Sequence, residues 1–123
     1  MKNILMIGTG GTIASQMPDD GLTPDLTPEQ LLRYVPAISG LCRVDCLSLF
    51  SIDSTNVTPA HWTRIAAALR ENYARYDGFV ISHGTDTMAY TAAALSYLVQ
   101  GSGKPIILSG SQKPINYDST DSK

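Results

Sequence analysis

The sequence predicts an α/β domain: a doubly wound parallel sheet with helices on both faces, a three-layer sandwich. Three observations carry that expectation. Short apolar runs recur as continuous rather than alternating segments, as strands covered on both faces require. Helix-like segments separate those runs, which implies right-handed crossovers between parallel strands. Each run also ends in a small, hydroxyl-rich turn of the kind that gathers at the carboxyl edge of such a sheet, where ligands bind.

The first strand is read at Ile4–Ile7, followed by Gly8-Thr9-Gly10-Gly11-Thr12. A helix then starts at Thr27-Pro28-Glu29-Gln30, where threonine caps, proline takes the first helical position and Gln30 completes a capping box. Leu31, Leu32 and Val35 supply its buried side, and Pro36 ends it. Val44–Phe50 is the second strand, interrupted by serines. Thr58-Pro59 opens the second helix, whose apolar stripe runs through Trp62, Ile65, Ala66, Leu69, Tyr73 and Tyr76. The third strand is Phe79–Ser82, followed by His83-Gly84-Thr85-Asp86-Thr87. The third helix runs from near Asp86 to about Gln100, with Gly101 and Gly103 as stops. Ile106–Ser109 is the fourth strand. Ser15–Leu26 is longer than the usual connection of about 2–6 residues, and it reads as a lid over the first loop.

A chain of 123 residues suits one domain and buries roughly two-thirds of the surface its unfolded form exposes. At 43% hydrophobic and 16% charged residues it falls with folded globular proteins rather than disordered ones. The net charge of −2, without a run of Lys or Arg, makes nucleic acid and anionic membranes poor partners. The four apolar residues before Gly8 are too few for a signal segment or a membrane span, so a cytoplasmic address is expected. Cys42 and Cys46 have no histidine near them in sequence to complete a zinc set, and they are read as buried or partly buried thiols without function.

The first loop does not fit a nucleotide. Gly8-x-Gly10 begins a dinucleotide fingerprint, but Ile13 occupies the third glycine position, and no Gly-Lys-Ser or Gly-Lys-Thr follows. The same residues fit acyl transfer better. Thr12 can direct a hydroxyl into the cleft, while Gly10 and Gly11 allow close backbone approach and offer amide donors to an oxyanion. A threonine hydroxyl needs a proton acceptor to act as a nucleophile, and Thr85 and Asp86 on the matching loop are candidates for that relay. Asp53-Ser54-Thr55-Asn56 and Ser109-Gly110-Ser111-Gln112 follow the other two strands. Helix capping explains any one of these loops. Four together point to a site for a small polar molecule.

The motifs Thr9-Gly10-Gly11-Thr12-Ile13-Ala14, Asp53-Ser54-Thr55, His83-Gly84-Thr85-Asp86-Thr87-Met88-Ala89-Tyr90 and Gly110-Ser111-Gln112 closely resemble those of the bacterial L-asparaginases, the asparaginase/glutaminase family of threonine amidohydrolases. The details look most like the cytoplasmic type I branch. The resemblance covers the whole chain and implies the family's N-terminal catalytic domain over residues 1–123, with a Rossmann- or flavodoxin-like architecture. It implies hydrolysis of L-asparagine to L-aspartate and ammonia, with no metal and no cofactor. Thr12 would be the nucleophile, Thr85 part of a proton relay, and Asp86 the holder of the substrate amino group. Ser54 would contact the α-carboxylate, with Asp53 and Thr55 completing that loop. Gly11, Gly84 and Ser111 would line the substrate, with backbone amides near Gly11 and Thr85 facing the oxyanion.

Two departures from the family pattern stand out. No aromatic residue precedes Tyr34, and Leu22 falls where the family often places a lid tyrosine. The family's catalytic lysine and smaller C-terminal domain lie beyond the matched motifs. Lys104 precedes the fourth strand and belongs at the opposite edge, while Lys113 does not match the family position. Two alternatives therefore stand beside the asparaginase reading. One is a catalytically silent asparagine-binding module. The other is a glutamine amidase domain of a tRNA-dependent amidotransferase, against which the weak surface charge argues. A homo-oligomer is expected, because a four-stranded sheet with open edges invites pairing.

Overall fold

The computed structural model describes residues 1–10, 15–16, 23–24 and 28–110. Four strands, β1 (Asn3–Gly10), β4 (Arg43–Ile52), β5 (Gly78–Ser82) and β6 (Ile106–Ser109), form one parallel sheet in the order β4-β1-β5-β6. Two further strands of two residues, β2 (Ser15–Gln16) and β3 (Thr23–Pro24), pair antiparallel within the segment expected to form a lid. The remainder of that segment, including Leu22, lies outside the described residues. Among the described residues three α-helices accompany the sheet: α1 (Pro28–Leu32), α2 (Pro59–Asn72) and α3 (Met88–Leu98). The α/β architecture with a parallel sheet is as the sequence predicts.

Strand registers sort the side chains onto two faces. Leu5 pairs with Phe79 and Ile7 with Ile81, while Phe79 pairs with Ile106 and Ile81 with Leu108. Parallel partners point the same way, so these residues share one face. There they meet Ile65, Ala66, Ala68 and Leu69 of α2 and Leu95 of α3 in the main core, with Leu47, Tyr73, Tyr76 and Val99 packed at its margin. Burying such side chains stabilises the fold by about 1.5–3 kcal/mol each. On the opposite face, α1 lies against β1 and β4.

The boundaries of all three helices differ from the sequence expectation. α1 stops at Leu32 instead of reaching Pro36. A residue before proline is pushed out of the α region, and Val35 sits at φ −131°, ψ 67°, after which Pro36–Gly40 forms a 3-10 turn. The stripe on α2 also ends earlier, since Tyr73 lies in a 3-10 turn and Tyr76 beyond it. Both rings nonetheless reach Phe79, stacked at 6.1 Å and edge-on at 6.2 Å. α3 begins at Met88 rather than Asp86, and Val99 leaves it at φ −125°, ψ 90°.

Lys104 lies at the amino-terminal edge of the sheet, as predicted. Its Nζ donates to the Tyr73 carbonyl at 2.5 Å and stands 4.6 Å from the Tyr73 ring centroid. No described helix is long and apolar enough to cross a membrane.

Candidate active site

The carboxyl ends of the strands lie level with one another. Gly8 pairs with Ser82, Ser82 with Ser109, and Gly10 with Ile52 after a register shift in which β4 carries the extra residues. Side chains and turns then join the ends. Thr9 Oγ1 donates to the Ser82 carbonyl at 2.5 Å in the buried interior, and the His83 amide donates to the Ser109 carbonyl at 2.9 Å. These bonds tie the carboxyl ends of β1, β5 and β6 together at one edge.

Glycine is what allows the loops to approach so closely. Gly10 takes φ +99°, a conformation side chains rarely adopt, and a Cβ there would stand 2.7 Å from the Ile52 backbone. Gly84 is buried against Ser54, where an added Cβ would lie 2.6 Å from both Cβ and Oγ. Gly110 packs still more closely on the His83 carbonyl, and an added Cβ there would lie 3.3 Å from the Thr85 methyl.

The turn after β4 is built by its own residues. Asp53 Oδ1 accepts the Thr55 amide at 3.0 Å and starts a 3-10 turn over Ser54–Asn56. That leaves Ser54 buried, at 3% exposure, while Asp53 and Thr55 are exposed. The Ser54 carbonyl accepts the Val57 amide at 3.1 Å and the Thr87 hydroxyl at 2.8 Å. The turn after β4 and the loop after β5 are thereby clasped together.

Behind the β5 loop runs a buried chain of hydrogen bonds. Trp62 Nε1 donates to Thr91 Oγ1 at 2.9 Å, Thr91 Oγ1 lies 2.9 Å from His83 Nε2, and His83 Nδ1 lies 2.7 Å from the Gly84 carbonyl. A carbonyl only accepts, which assigns the ring proton to Nδ1. Nε2 of a neutral ring then accepts from the Thr91 hydroxyl, so all donors run one way. Burial holds the His83 pKa below its ordinary value, opposed by the bond to Gly84, and that agrees with a neutral ring. Because the peptide is trans, turning the Gly84 carbonyl toward the ring turns the Thr85 N–H the opposite way.

Among the residues expected to form the site, the structure brings Ser54 and Gly84 together, sets Thr85 beside Gly110, and leaves Asp86 exposed. Thr12, Gly11 and Ser111 lie outside the described residues. The sequence reading missed the roles of His83, Thr87, Thr91 and Trp62. Trp62 had a signal, since its indole N–H needs a partner inside an otherwise apolar stripe. Thr87 reads only as part of the motif after the third strand, and Thr91 carries no signal of its own. Burial, with the charges of Glu29 and Asp45, pushes the thiol of partly buried Cys46 up to about 11.

Comparison with known proteins agrees with this geometry. The family described as "Asparaginase, N-terminal" matches residues 3–123. A glutamyl-tRNA(Gln) amidotransferase subunit of Sulfolobus acidocaldarius is 41% identical over 98% of this chain, and its counterpart in Pyrococcus horikoshii 40% identical over 98%. The chain spans 28% of the length of these curated relatives. Among solved structures, the thermostable L-asparaginase from Thermococcus kodakarensis superposes with a TM-score of 0.86 at 35% identity, over 98% of this chain and 37% of that one. L-asparaginase I from Vibrio cholerae gives 0.84 at 36%, again over 98% and 37%. The chain belongs to the asparaginase family, matching the family's N-terminal domain.

Proposed function

We propose that residues 1–123 form the N-terminal catalytic domain of an amidohydrolase that converts L-asparagine to L-aspartate and ammonia. The observation that carries the reading is the contact of the Ser54 turn with the Gly84–Thr85 loop. It supports an α-carboxylate held at one loop while the side-chain amide reaches the next. In this reading the Thr12 hydroxyl attacks the amide carbon and its proton passes through the Thr85 relay to the leaving nitrogen. The C–N bond breaks, ammonia departs, and water then hydrolyses the acyl ester, restoring Thr12. Asp86 holds the substrate ammonium, and Asp53 keeps the Ser54 turn in shape through the Thr55 amide. Gly11 and Ser111 complete the lining. The amides of Gly11 and Thr85 are assigned to the oxyanion, where one well-aimed donor contributes about 2.7–4 kcal/mol. Orientation of the Thr85 amide through the His83–Gly84 bond supports that assignment.

A second reading has its own support. The curated relatives are named as subunits of a glutamyl-tRNA(Gln) amidotransferase, so the same site would release ammonia from L-glutamine beside a protein partner. The low net charge weighs against this, and those relatives weigh for it.

The test is ammonia release from L-asparagine and L-glutamine by the chain beside its Thr12→Ala variant, with calorimetry of L-aspartate and L-glutamate binding. Turnover that vanishes in the variant while binding persists is the expected result. Equal turnover in both would move the nucleophile elsewhere. Binding without turnover in either would identify a silent binding module, and neither binding nor turnover would refute the site.

A further inference from the structure

We propose that Thr87 is a positioning residue that sets which amino-acid side-chain length the site accepts, an inference that rests on the function proposed above. Its hydroxyl is committed in an unexpected direction. Thr87 occupies the N-cap position of α3, where a threonine hydroxyl ordinarily turns back to an amide of the first helical turn. It makes no such cap bond. Instead Oγ1 donates to the Ser54 carbonyl at 2.8 Å, spanning 33 residues of sequence. The local bond is given up for one between loops.

The bond acts at a specific place. Ser54 is gripped on two sides, by Gly84 against its side chain and by Thr87 at its carbonyl. With Ser54 holding the substrate α-carboxylate and Thr85 serving the amide, these contacts fix the separation between the two ends of the ligand. Asparagine and glutamine, like aspartate and glutamate, differ by one methylene across that separation. A well-defined site discriminates one methylene by about 10–200-fold, and a site whose loops slide apart discriminates less. Thr87 touches neither end of the ligand in this scheme and works through Ser54.

Two substitutions separate the hydroxyl from the shape. Thr87→Val keeps the volume and deletes the donor, and the Ser54 carbonyl retains its Val57 bond, so the fold is expected to persist. Thr87→Ser keeps the donor and loses a methyl group. Calorimetry of L-aspartate and L-glutamate on the wild-type chain and both variants reads the selectivity ratio, and amide exchange at Val57 reports whether the turn has loosened. The expected result is a ratio at least fivefold narrower in Thr87→Val, with faster Val57 exchange, and a ratio within twofold of wild type in Thr87→Ser. An unchanged ratio in Thr87→Val overturns the proposal while leaving the function intact. Equal narrowing in both variants also overturns it, by assigning the effect to packing of the methyl. Wild-type protein that binds neither ligand refutes the site reading and this inference with it.

Discussion

Substituting Gly84 by alanine probes the contact on which the site depends. The added methyl group would stand 2.6 Å from Ser54 Cβ and Oγ and 3.3 Å from the Ser54 amide nitrogen. Carbon atoms pack comfortably at about 3.5–4.0 Å, so the two loops must separate by roughly 1 Å. Gly84 has no positive φ, and the penalty therefore comes from the clash rather than from the backbone. Overpacking of this kind costs about 1–3 kcal/mol, which lowers Tm by roughly 4–15 °C in a domain near this size. Ligand affinity should fall as well, because the clash separates the two loops between which the ligand is proposed to bind. The assay is a double-mutant cycle with Ser54→Gly, which removes the opposing side chain, read by denaturant titration and L-aspartate calorimetry. Gly40→Ala serves as control, since nothing lies within 4 Å of its added Cβ. A coupling energy of at least about 1 kcal/mol is expected between positions 84 and 54. Gly84→Ala protein as stable as wild type, or a double variant no better than the sum of the singles, would refute the reasoning.

Three further outcomes follow from the buried groups. Thr91→Val strips Trp62 Nε1 and His83 Nε2 of their partner together, and should cost about 2–4 kcal/mol in denaturant melts; a loss under about 1 kcal/mol would contradict the chain of donors. Because the folded His83 pKa lies below the ordinary value of about 6.5, the unfolded chain takes up the proton first on acidification. Its contribution is complete above about pH 6.5 and declines below it, with a slope of at most about 1.4 kcal/mol per pH unit. Melts from pH 8 to 5 should show that decline flattened in His83→Gln, and an identical profile in the variant would count against it. With its thiol pushed up to about 11, Cys46 is ionised at pH 8 to roughly one part in a thousand. Disulfide-reagent labelling of Cys46 in a Cys42→Ser background should therefore run over 100-fold slower in folded than in unfolded protein, and equal rates would refute the assignment.

Much of the architecture was legible because it depends on short-range patterns. Continuous apolar runs such as Phe79–Ser82 and Ile106–Ser109 correspond to β5 and β6, and Thr58-Pro59 marked the start of α2. Where the reading slipped, a longer-range interaction or a neighbouring proline had overruled the local signal. Thr87 bonds Ser54 instead of capping its own helix, and α3 starts two residues after Asp86. Val35 yields to Pro36, and α1 is cut short. The candidate site divides in the same way. Hydroxyl-bearing turns after four apolar runs point to a candidate site, but the need for glycine at 84 arises from Ser54, thirty positions away. The His83–Thr91–Trp62 chain draws on α2, α3 and a loop, and no spacing in the sequence announces that meeting.

Binding of one amino-acid ligand between the turns after β4 and β5 is the point on which everything else depends. Titration of isotope-labelled protein with L-aspartate, followed by amide chemical shifts, tests it most directly. Saturable shifts should concentrate at residues 53–56 and 83–87, with Lys104 and its neighbours at the far edge of the sheet unmoved. Shifts scattered over the surface, centred on the far edge, or absent at millimolar ligand would contradict it.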